Sequence, residues 1–180
     1  MQKLSFHTTI QAPAKLVWDT MLSPEGYAQW TALFNPQGSW FEGSWEGGSH
    51  IRFVGPNEHG VLCGIKATVA QRIDYHSLTL KDLCYYEGDH DSEIWENGYE
   101  RYTLHPSGSE THILVEAHVP SQVAEYMSSI WPRALARLKV ICEKPESITV
   151  QVSVHAPLTQ VWSAWTSPDD IMKWNQASPD

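Results

Sequence analysis

Hydrophobic and polar residues alternate at the start of the chain. Leu4, Phe6, Thr8 and Ile10 are separated by polar residues. A period of two is typical of a strand that buries one face, because successive side chains point to opposite faces. The sequence therefore predicts a half-buried strand over residues 4–11.

Two short helices are predicted after this strand. Pro13 stands where the first turn of a helix tolerates proline, and apolar residues follow at helical spacing as far as Leu22. Ser23-Pro24 then places a hydroxyl N-cap before a proline at the first helical position. This pair predicts a second short helix that ends near Trp30.

Between Gly38 and Pro120 the pattern returns to short alternating stretches separated by Gly, Asn, Pro, Ser and Asp. Six strands are predicted, over residues 39–45, 50–54, 61–73, 77–86, 95–104 and 112–119. The predicted turns lie at residues 46–48, 55–57, 74–76 and 106–108. They are too short for crossover helices, so the middle of the chain is predicted to be an antiparallel meander.

A long amphipathic helix is predicted after the Pro120-Ser121 cap signal, as far as Lys144. Its apolar residues are spaced by three and four: Val123, Tyr126, Met127, Ile130, Trp131, Ala134, Leu135, Leu138 and Ile141. Pro132 should kink this helix, because proline removes one hydrogen bond and clashes with the preceding turn, at a cost of about 3 kcal/mol.

The chain repeats its own opening near its end. The segment from Ile10 to Trp30 recurs from Val154 to Trp174 with its Ala-Pro, Val-Trp and Ser-Pro pairs, at a constant offset of 144 residues (154 minus 10). A register kept without a gap indicates an internal repeat. We therefore predict a complete domain over residues 1–144 and a truncated start of a second, similar domain over residues 145–180. The truncated part should form a strand over residues 148–154 and two helices.

Composition and charge narrow the class of protein. A chain of 180 residues, 42% of them hydrophobic, can build one core of about 140 residues. The formal charge of −9 works against nucleic acid or anionic lipid as partners, because both are bound through Lys and Arg. No run of about 18 apolar residues is present, so no membrane span is expected.

The three cysteines, Cys63, Cys84 and Cys142, show no CxxC spacing, and no charged-then-apolar leader follows Met1. Both observations argue against a secreted, disulfide-bonded protein. The sequence predicts a cytoplasmic protein with buried thiols.

Several of these motifs together resemble a known family. They are the Ala12-Pro13 to Trp18 segment, Ser23-Pro24 with Trp30, Phe41-Glu42-Gly43 followed by Gly47-Gly48, and Trp131-Pro132 with Ala134-Leu135 and Leu138-Lys139. With the order of the elements, they are similar to the START-like, or SRPBCC, superfamily, and within it to the AHSA-like branch, named for activators of the heat-shock chaperone ATPase. The resemblance covers residues 4–143, and the tail at 173–180 also looks like the early part of a member.

The resemblance implies an α+β helix-grip fold. In that fold a curved antiparallel sheet of about seven strands wraps around the long C-terminal helix, and two short helices follow the first strand. A cavity between the concave face of the sheet and the long helix would hold an apolar ligand.

Aromatic residues make up 11% of the chain and include nine tryptophans, which can line such a cavity. The side chains predicted to lie nearest to it are Trp40, Phe53, Tyr85, Trp95, Tyr99, Tyr126, Ile130 and Trp131. The same side chains could instead fill a closed core, and sequence spacing does not separate the two cases.

The sequence offers little support for a metal site or for covalent catalysis. Asp89-His90-Asp91 with Glu93 lacks both the ligand ladder of a calcium loop and the spacing of a zinc site, so no metal and no cofactor are expected. No Gly-x-Ser-x-Gly elbow, glycine-rich phosphate loop or cysteine nucleophile motif is present. Acid–base chemistry stays open if Glu100, Glu116 or His118 points into the cavity.

Three functions therefore remain. The favoured one is a noncatalytic binder of a small apolar molecule. The alternatives are a chaperone partner, as the name of the branch implies, and a cavity enzyme of the cyclase or aromatase kind. Residues 148–180 are predicted either to form a homodimer with another copy or to pack across the first domain, since a strand with one apolar face needs to be covered.

Overall fold

The computed structural model describes residues 1–144 and 152–175. The chain divides into two compact units, Met1–Lys144 and Pro145–Asp180. None of the helices in the described residues is long and apolar enough to cross a membrane.

The first unit contains one antiparallel sheet. Its strands are β1 (Gln2–Ile10), β2 (Trp40–Gly43), β3 (His50–Pro56), β4 (Leu62–Ile73), β5 (Ser77–Glu87), β6 (His90–Asp91), β7 (Tyr99–Ser107) and β8 (Glu110–Val119). The spatial order is β1-β8-β7-β5-β4-β3-β2, with β6 paired to β5. Neighbours from β2 to β8 mostly follow one another in the chain, so the predicted meander is confirmed, and β1 closes the sheet against its last strand.

Two register shifts interrupt the pairing of β4 with β5, between Lys66 and Thr68 and between Val69 and Gln71. Such irregularities bend the strand that carries them and increase its twist. Asp82, on β5 in the same region, has a positive φ of 55°. These features lie in the two longest strands and account for part of the curvature that produces a concave face.

The helices of the first unit are α1 (Ala14–Leu22), α2 (Pro24–Trp30), a 3-10 turn (Thr31–Leu33) and α3 (Ser121–Cys142). Ser23 caps α2 as predicted, since its hydroxyl accepts a hydrogen bond of 3.1 Å from the backbone N–H of Gly26. The long helix α3 continues through Pro132. Its N-cap residue is Pro120, so no side chain caps it, in contrast to the predicted Pro120-Ser121 signal.

The core forms where α3 lies against the concave face of the sheet. On β8 every second side chain from Thr111 to Val119 is buried, and the intervening ones are not. From the second half of α3, Leu135 and Leu138 join the same cluster, together with Val17 and Trp18 from α1. This arrangement confirms the predicted helix-grip fold, in which the sheet wraps around the last helix.

Three details of the sheet differ from the prediction. Strand β7 begins at Tyr99 instead of residue 95, because Trp95 and Gly98 form a turn through a 2.8 Å backbone hydrogen bond. Gly55 and Pro56 end β3, and the turn follows them, where Gly60 donates to the carbonyl of Asn57. The two-residue strand β6 was not predicted.

The described part of the second unit contains two helices, α4 (Leu158–Thr166) and α5 (Pro168–Asn175), as predicted. Of the predicted strand, residues 148–151 lie outside the described residues, and 152–154 are not in a strand. Trp162 on α4 is 68% exposed, whereas its counterpart in the repeat, Trp18, is 2% exposed. The second unit therefore repeats this tryptophan of the first unit but leaves it exposed.

Candidate ligand cavity

A cavity of about 620 Å³ lies in the first unit. The sheet contributes residues of β3, β4, β5 and β7, and the opposite wall comes from α2, the 3-10 turn and the first half of α3. The second half of α3 belongs to the core instead. The first half of α3 therefore lines the cavity, and its second half packs in the core.

Aromatic rings form a continuous wall. Trp131 of α3 lies at its centre, with ring centroids 5.9 Å from Trp30, 5.2 Å from Phe34 and 6.0 Å from Tyr102. Tyr27 of α2 stacks on Phe53 of β3, with ring centroids 5.7 Å apart, so the wall continues from helix to sheet. Edge-to-face and offset pairs at these distances stabilise beyond their buried area.

One carboxyl group lines this aromatic cavity. Glu100 of β7 accepts a hydrogen bond from the hydroxyl of Tyr102, two residues along the same face of the strand. Burial raises the pKa of Glu100 to about 7, although the hydrogen bond from Tyr102 opposes the shift. Burial, followed by the charge of Glu100, also raises the pKa of Tyr102 and of Tyr27.

Hydroxyl groups surround Tyr27 on the helical side of the cavity. The Thr31 Oγ1 lies 2.6 Å from the carbonyl oxygen of Tyr27 and 2.9 Å from Ser39 Oγ. Thr31 and Ser39 both line the cavity. A bound molecule can therefore reach hydroxyl groups here, and the carboxyl of Glu100 from the sheet side.

The indole N–H of Trp131 is buried and has no hydrogen-bond partner. Among the side chains that the structure describes, it is the only fully buried nitrogen or oxygen without a partner. A buried donor left unpaired costs about 1–3 kcal/mol, and such groups are rare in native proteins. Trp131 lines the cavity with other atoms of its ring, because the nitrogen itself is enclosed by protein atoms. The unpaired N–H therefore belongs to the packing around α3 and not to the cavity surface.

The more exposed lining residues mark the opening. Tyr126 of α3 is 48% exposed and Tyr85 of β5 is 41% exposed. The hydroxyl of Tyr126 donates a 3.0 Å hydrogen bond to the carbonyl of Phe34. This bond joins α3 to the end of the 3-10 turn at the edge of the cavity.

Of the eight side chains predicted to lie nearest to the cavity, the structure places five in its lining: Phe53, Tyr85, Trp95, Tyr126 and Trp131. The other three lie elsewhere. Trp40 is 36% exposed, with its indole N–H directed to Glu42 at 3.3 Å, and Tyr99 packs against His118 at 6.0 Å. Ile130 is buried but does not line the cavity.

Two of the three misplaced residues, Trp40 and Tyr99, reflect a register error of one residue on a strand. On β2 the neighbour of Trp40, Phe41, packs on Tyr27, and on β7 the neighbour of Tyr99, Glu100, faces the cavity. Because side chains alternate along a strand, an error of one position exchanges the two faces. On α3, Ile130 and Trp131 are one residue apart and point in different directions.

Of the three acid–base candidates, one lies in the cavity. Glu100 lines it, whereas Glu116 and His118 occupy the positions of β8 that alternate with its buried residues. Glu116 approaches Arg101 at 4.0 Å, and His118 Nδ1 lies 2.7 Å from the carbonyl of Asn97. Both belong to the outer face of the sheet, so neither reaches the cavity.

Sequence reasoning missed the helical wall. Tyr27, Trp30 and Phe34 all line the cavity. Their spacing of three and four residues was visible in the sequence as one face of a short helix. That signal could have identified them, had the second helix been considered part of the cavity.

Comparison with known proteins supports the fold alone. No family model matches the chain, and no curated protein is significantly similar to it. Among solved structures, protein CV1439 from Chromobacterium violaceum matches with a TM-score of 0.59 and 15% identity, over 81% of this chain and 100% of that one.

Two further structures give the same result. Protein NE0264 from Nitrosomonas europaea matches with a TM-score of 0.61 and 15% identity, over 79% of this chain and 94% of that one. The Aha1 dimer from Colwellia psychrerythraea matches with a TM-score of 0.60 and 15% identity, over 80% and 98%. The helix-grip fold is therefore shared with an Aha1 protein, and identities this low carry no function across.

Proposed function

We propose that the first unit is a noncatalytic binding domain for a small, largely apolar molecule held between the sheet and α3. The observation that carries this proposal is the cavity of about 620 Å³ with its aromatic wall. Ligand pockets commonly measure about 300–1,000 Å³ and are lined mainly by apolar and aromatic side chains with a few polar groups.

Burial of apolar surface supports the same proposal. The cavity opens to solvent beside Tyr126 and Tyr85, which are 48% and 41% exposed. A bound apolar molecule would remove both its own surface and that of the aromatic wall from water, and this burial stabilises by about 25 cal/mol per Å².

A neutral fluorescent probe tests the proposal. N-phenyl-1-naphthylamine fluoresces more strongly in apolar surroundings, so its titration into the full chain should give saturable binding. Val123→Trp and, separately, Met127→Trp place an indole in the cavity and should weaken probe binding at least about tenfold. Val140→Trp is the matched control, because Val140 lies on the same helix but is 60% exposed.

The outcomes are distinct. Equal probe affinity in all three variants and the wild type would show that the probe binds elsewhere and would refute the proposal. Circular dichroism of each variant establishes that the fold is retained. Absence of saturable binding to the wild type would also count against the proposal.

A second candidate function is acid–base catalysis in the same cavity. It is favoured by Glu100, since a carboxyl group with a pKa near 7 can give or take a proton at neutral pH. When a substrate is known, Glu100→Gln should abolish turnover and leave substrate binding measurable. Unchanged turnover in that variant would exclude this candidate.

The chaperone-partner alternative stays a prediction. It is supported only by the shared fold with an Aha1 protein. Binding of the full chain to a purified heat-shock chaperone, measured by calorimetry, tests it directly, and no detectable heat at micromolar concentrations would remove it.

A further inference from the structure

The cavity combines an aromatic wall with a carboxyl group that has no cationic partner. No lysine, arginine or histidine is among the described residues that line it. The partner of Glu100 in the cavity is the hydroxyl of Tyr102. A buried carboxylate is normally paired with a cation, so this one is incompletely compensated within the protein.

The aromatic wall provides the surroundings that a cation prefers. Tyr27 lies close enough to Glu100 for its hydroxyl to respond to the carboxylate charge, and it stacks on Phe53. The Tyr102 that binds Glu100 lies 6.0 Å from Trp131, ring to ring. Cations are attracted to the faces of aromatic rings, and more strongly where water is excluded.

On these grounds we propose that the cavity takes an apolar amine, with its ammonium group at the Glu100 carboxylate and its hydrocarbon body against the aromatic wall. This inference rests on the proposed binding function and specifies the chemical class of the ligand. An anionic ligand would be repelled by Glu100, and a neutral one would leave its charge uncompensated.

The other titratable groups around Glu100 do not complicate the pH dependence of amine binding. Around the cavity these are the hydroxyls of Tyr27 on α2, Tyr102 on β7, Tyr85 on β5 and Tyr126 on α3, and the thiol of Cys63 on β4. All are uncharged when protonated. Ionisation of the carboxyl group is therefore the change in the cavity that controls amine binding at mildly acidic pH.

The magnitude follows from the pKa of about 7 for Glu100. Amine binding requires the ionised carboxylate, so the observed Kd rises by the factor 1 + 10^(pKa − pH). This factor is about 1 at pH 8 and about 30 at pH 5.5. The ammonium group stays largely protonated across this range, since simple alkylamines titrate near the lysine value of about 10 and the aryloxy group of the probe lowers the pKa only in part.

Two matched probes test the inference by calorimetry on the full chain. They are 2-(1-naphthyloxy)ethanamine and 2-(1-naphthyloxy)ethanol, which differ only in the terminal ammonium or hydroxyl group. At pH 8 the amine should bind at least about tenfold more tightly than the alcohol. Between pH 8 and pH 5.5 its Kd should rise about 30-fold, and the Kd of the alcohol should stay within about threefold.

Substitutions of single residues test which side chain causes the preference for the amine and its pH dependence. Glu100→Gln should remove the preference for the amine and its pH dependence, whereas Glu116→Gln, on the outer face of the sheet, should leave both unchanged.

Each failure has a separate meaning. Equal binding of amine and alcohol at pH 8, or a preference that survives Glu100→Gln, would overturn the inference. It would also be overturned if neither probe bound while N-phenyl-1-naphthylamine did, and the proposed binding function would then stand. If none of the three bound, the proposed function itself would fail.

Discussion

Replacing Glu100 by glutamine should stabilise the protein in the absence of ligand, and only above mildly acidic pH. The carboxyl group has a pKa of about 7 in the folded chain and an ordinary value of 4.5 when exposed. Since the folded pKa is raised, folding favours the protonated acid. Its contribution to stability is fully present below pH 4.5 and is lost as the pH rises to about 7.

The magnitude follows from the shift. A difference of 2.5 (7 minus 4.5) at about 1.4 kcal/mol for each pKa unit gives an upper limit of about 3 kcal/mol. The group keeps partial exposure through the cavity, and water there screens it, so about 2 kcal/mol is the reasonable expectation. Glutamine keeps an oxygen that can accept from Tyr102 and never ionises, so it avoids this loss.

The assay is chemical unfolding of wild type and Glu100→Gln from pH 4 to pH 8.5, followed by tryptophan fluorescence. The two free energies of unfolding should agree at pH 4 and diverge between pH 4.5 and 7. At pH 8 the variant should be more stable by about 2 kcal/mol, or about 4–8 °C in Tm for a chain of this size. Glu116→Gln, on the outer face, should not produce the divergence.

A variant with wild-type stability at pH 8, or a difference that does not depend on pH, would refute the reasoning. The carboxyl group would then be solvated in the folded protein. The expected 30-fold pH dependence of amine binding would fail with it. A stability gain at pH 8 would instead indicate that Glu100 is retained in spite of its cost, as is common for functional groups.

Four further results are expected. Leu138→Ala should lower the free energy of unfolding by about 3 kcal/mol in a denaturant titration, since Leu138 is 0% exposed in the core, and a loss below about 1 kcal/mol would contradict its place there. Ser23→Ala should cost about 1 kcal/mol by the same measurement through loss of the α2 cap, whereas Ser23→Gly should cost less. Gly64→Ala should cost more than about 2 kcal/mol, because a Cβ at φ of +151° would lie 1.9 Å from the carbonyl oxygen of Phe53; near-wild-type stability would show that β3 and β4 separate easily. Leu158→Glu with Trp162→Glu, at positions 81% and 68% exposed on α4, should convert the predicted homodimer to a monomer in sedimentation equilibrium, and a wild-type chain that is already monomeric would exclude that dimer.

Much of the fold could be predicted because its signals are local. The alternation from Leu4 to Ile10, the Ser23-Pro24 cap and the apolar stripe of α3 each specify an element within a few residues. Short turns between the strands then leave a meander as the simplest arrangement. Residues 95–98 were assigned to a strand incorrectly, since Trp95 has the composition of a strand residue but closes a turn with Gly98.

The cavity was harder to predict because it depends on register and on distant elements. Tyr99 and Glu100 are adjacent in sequence, yet they lie on opposite faces of β7, and β-propensity does not distinguish them. The pairing of Trp131 with Trp30 and Phe34 joins residues about 100 positions apart. The unpaired indole N–H is a property of three-dimensional surroundings alone, and no sequence pattern records it.

Pro132 lies at the junction between the half of α3 that lines the cavity and the half that packs in the core. The residues of α3 that line the cavity lie before it, as far as Trp131, and Ala134 to Cys142 after it contribute only to the core. Because proline supplies no N–H, the helical ladder lacks one rung at this junction. The backbone amides of the first half should therefore exchange with deuterium sooner than those of the second half. Under the proposed binding function, a ligand would then enter by local opening of the first half while the core stays folded.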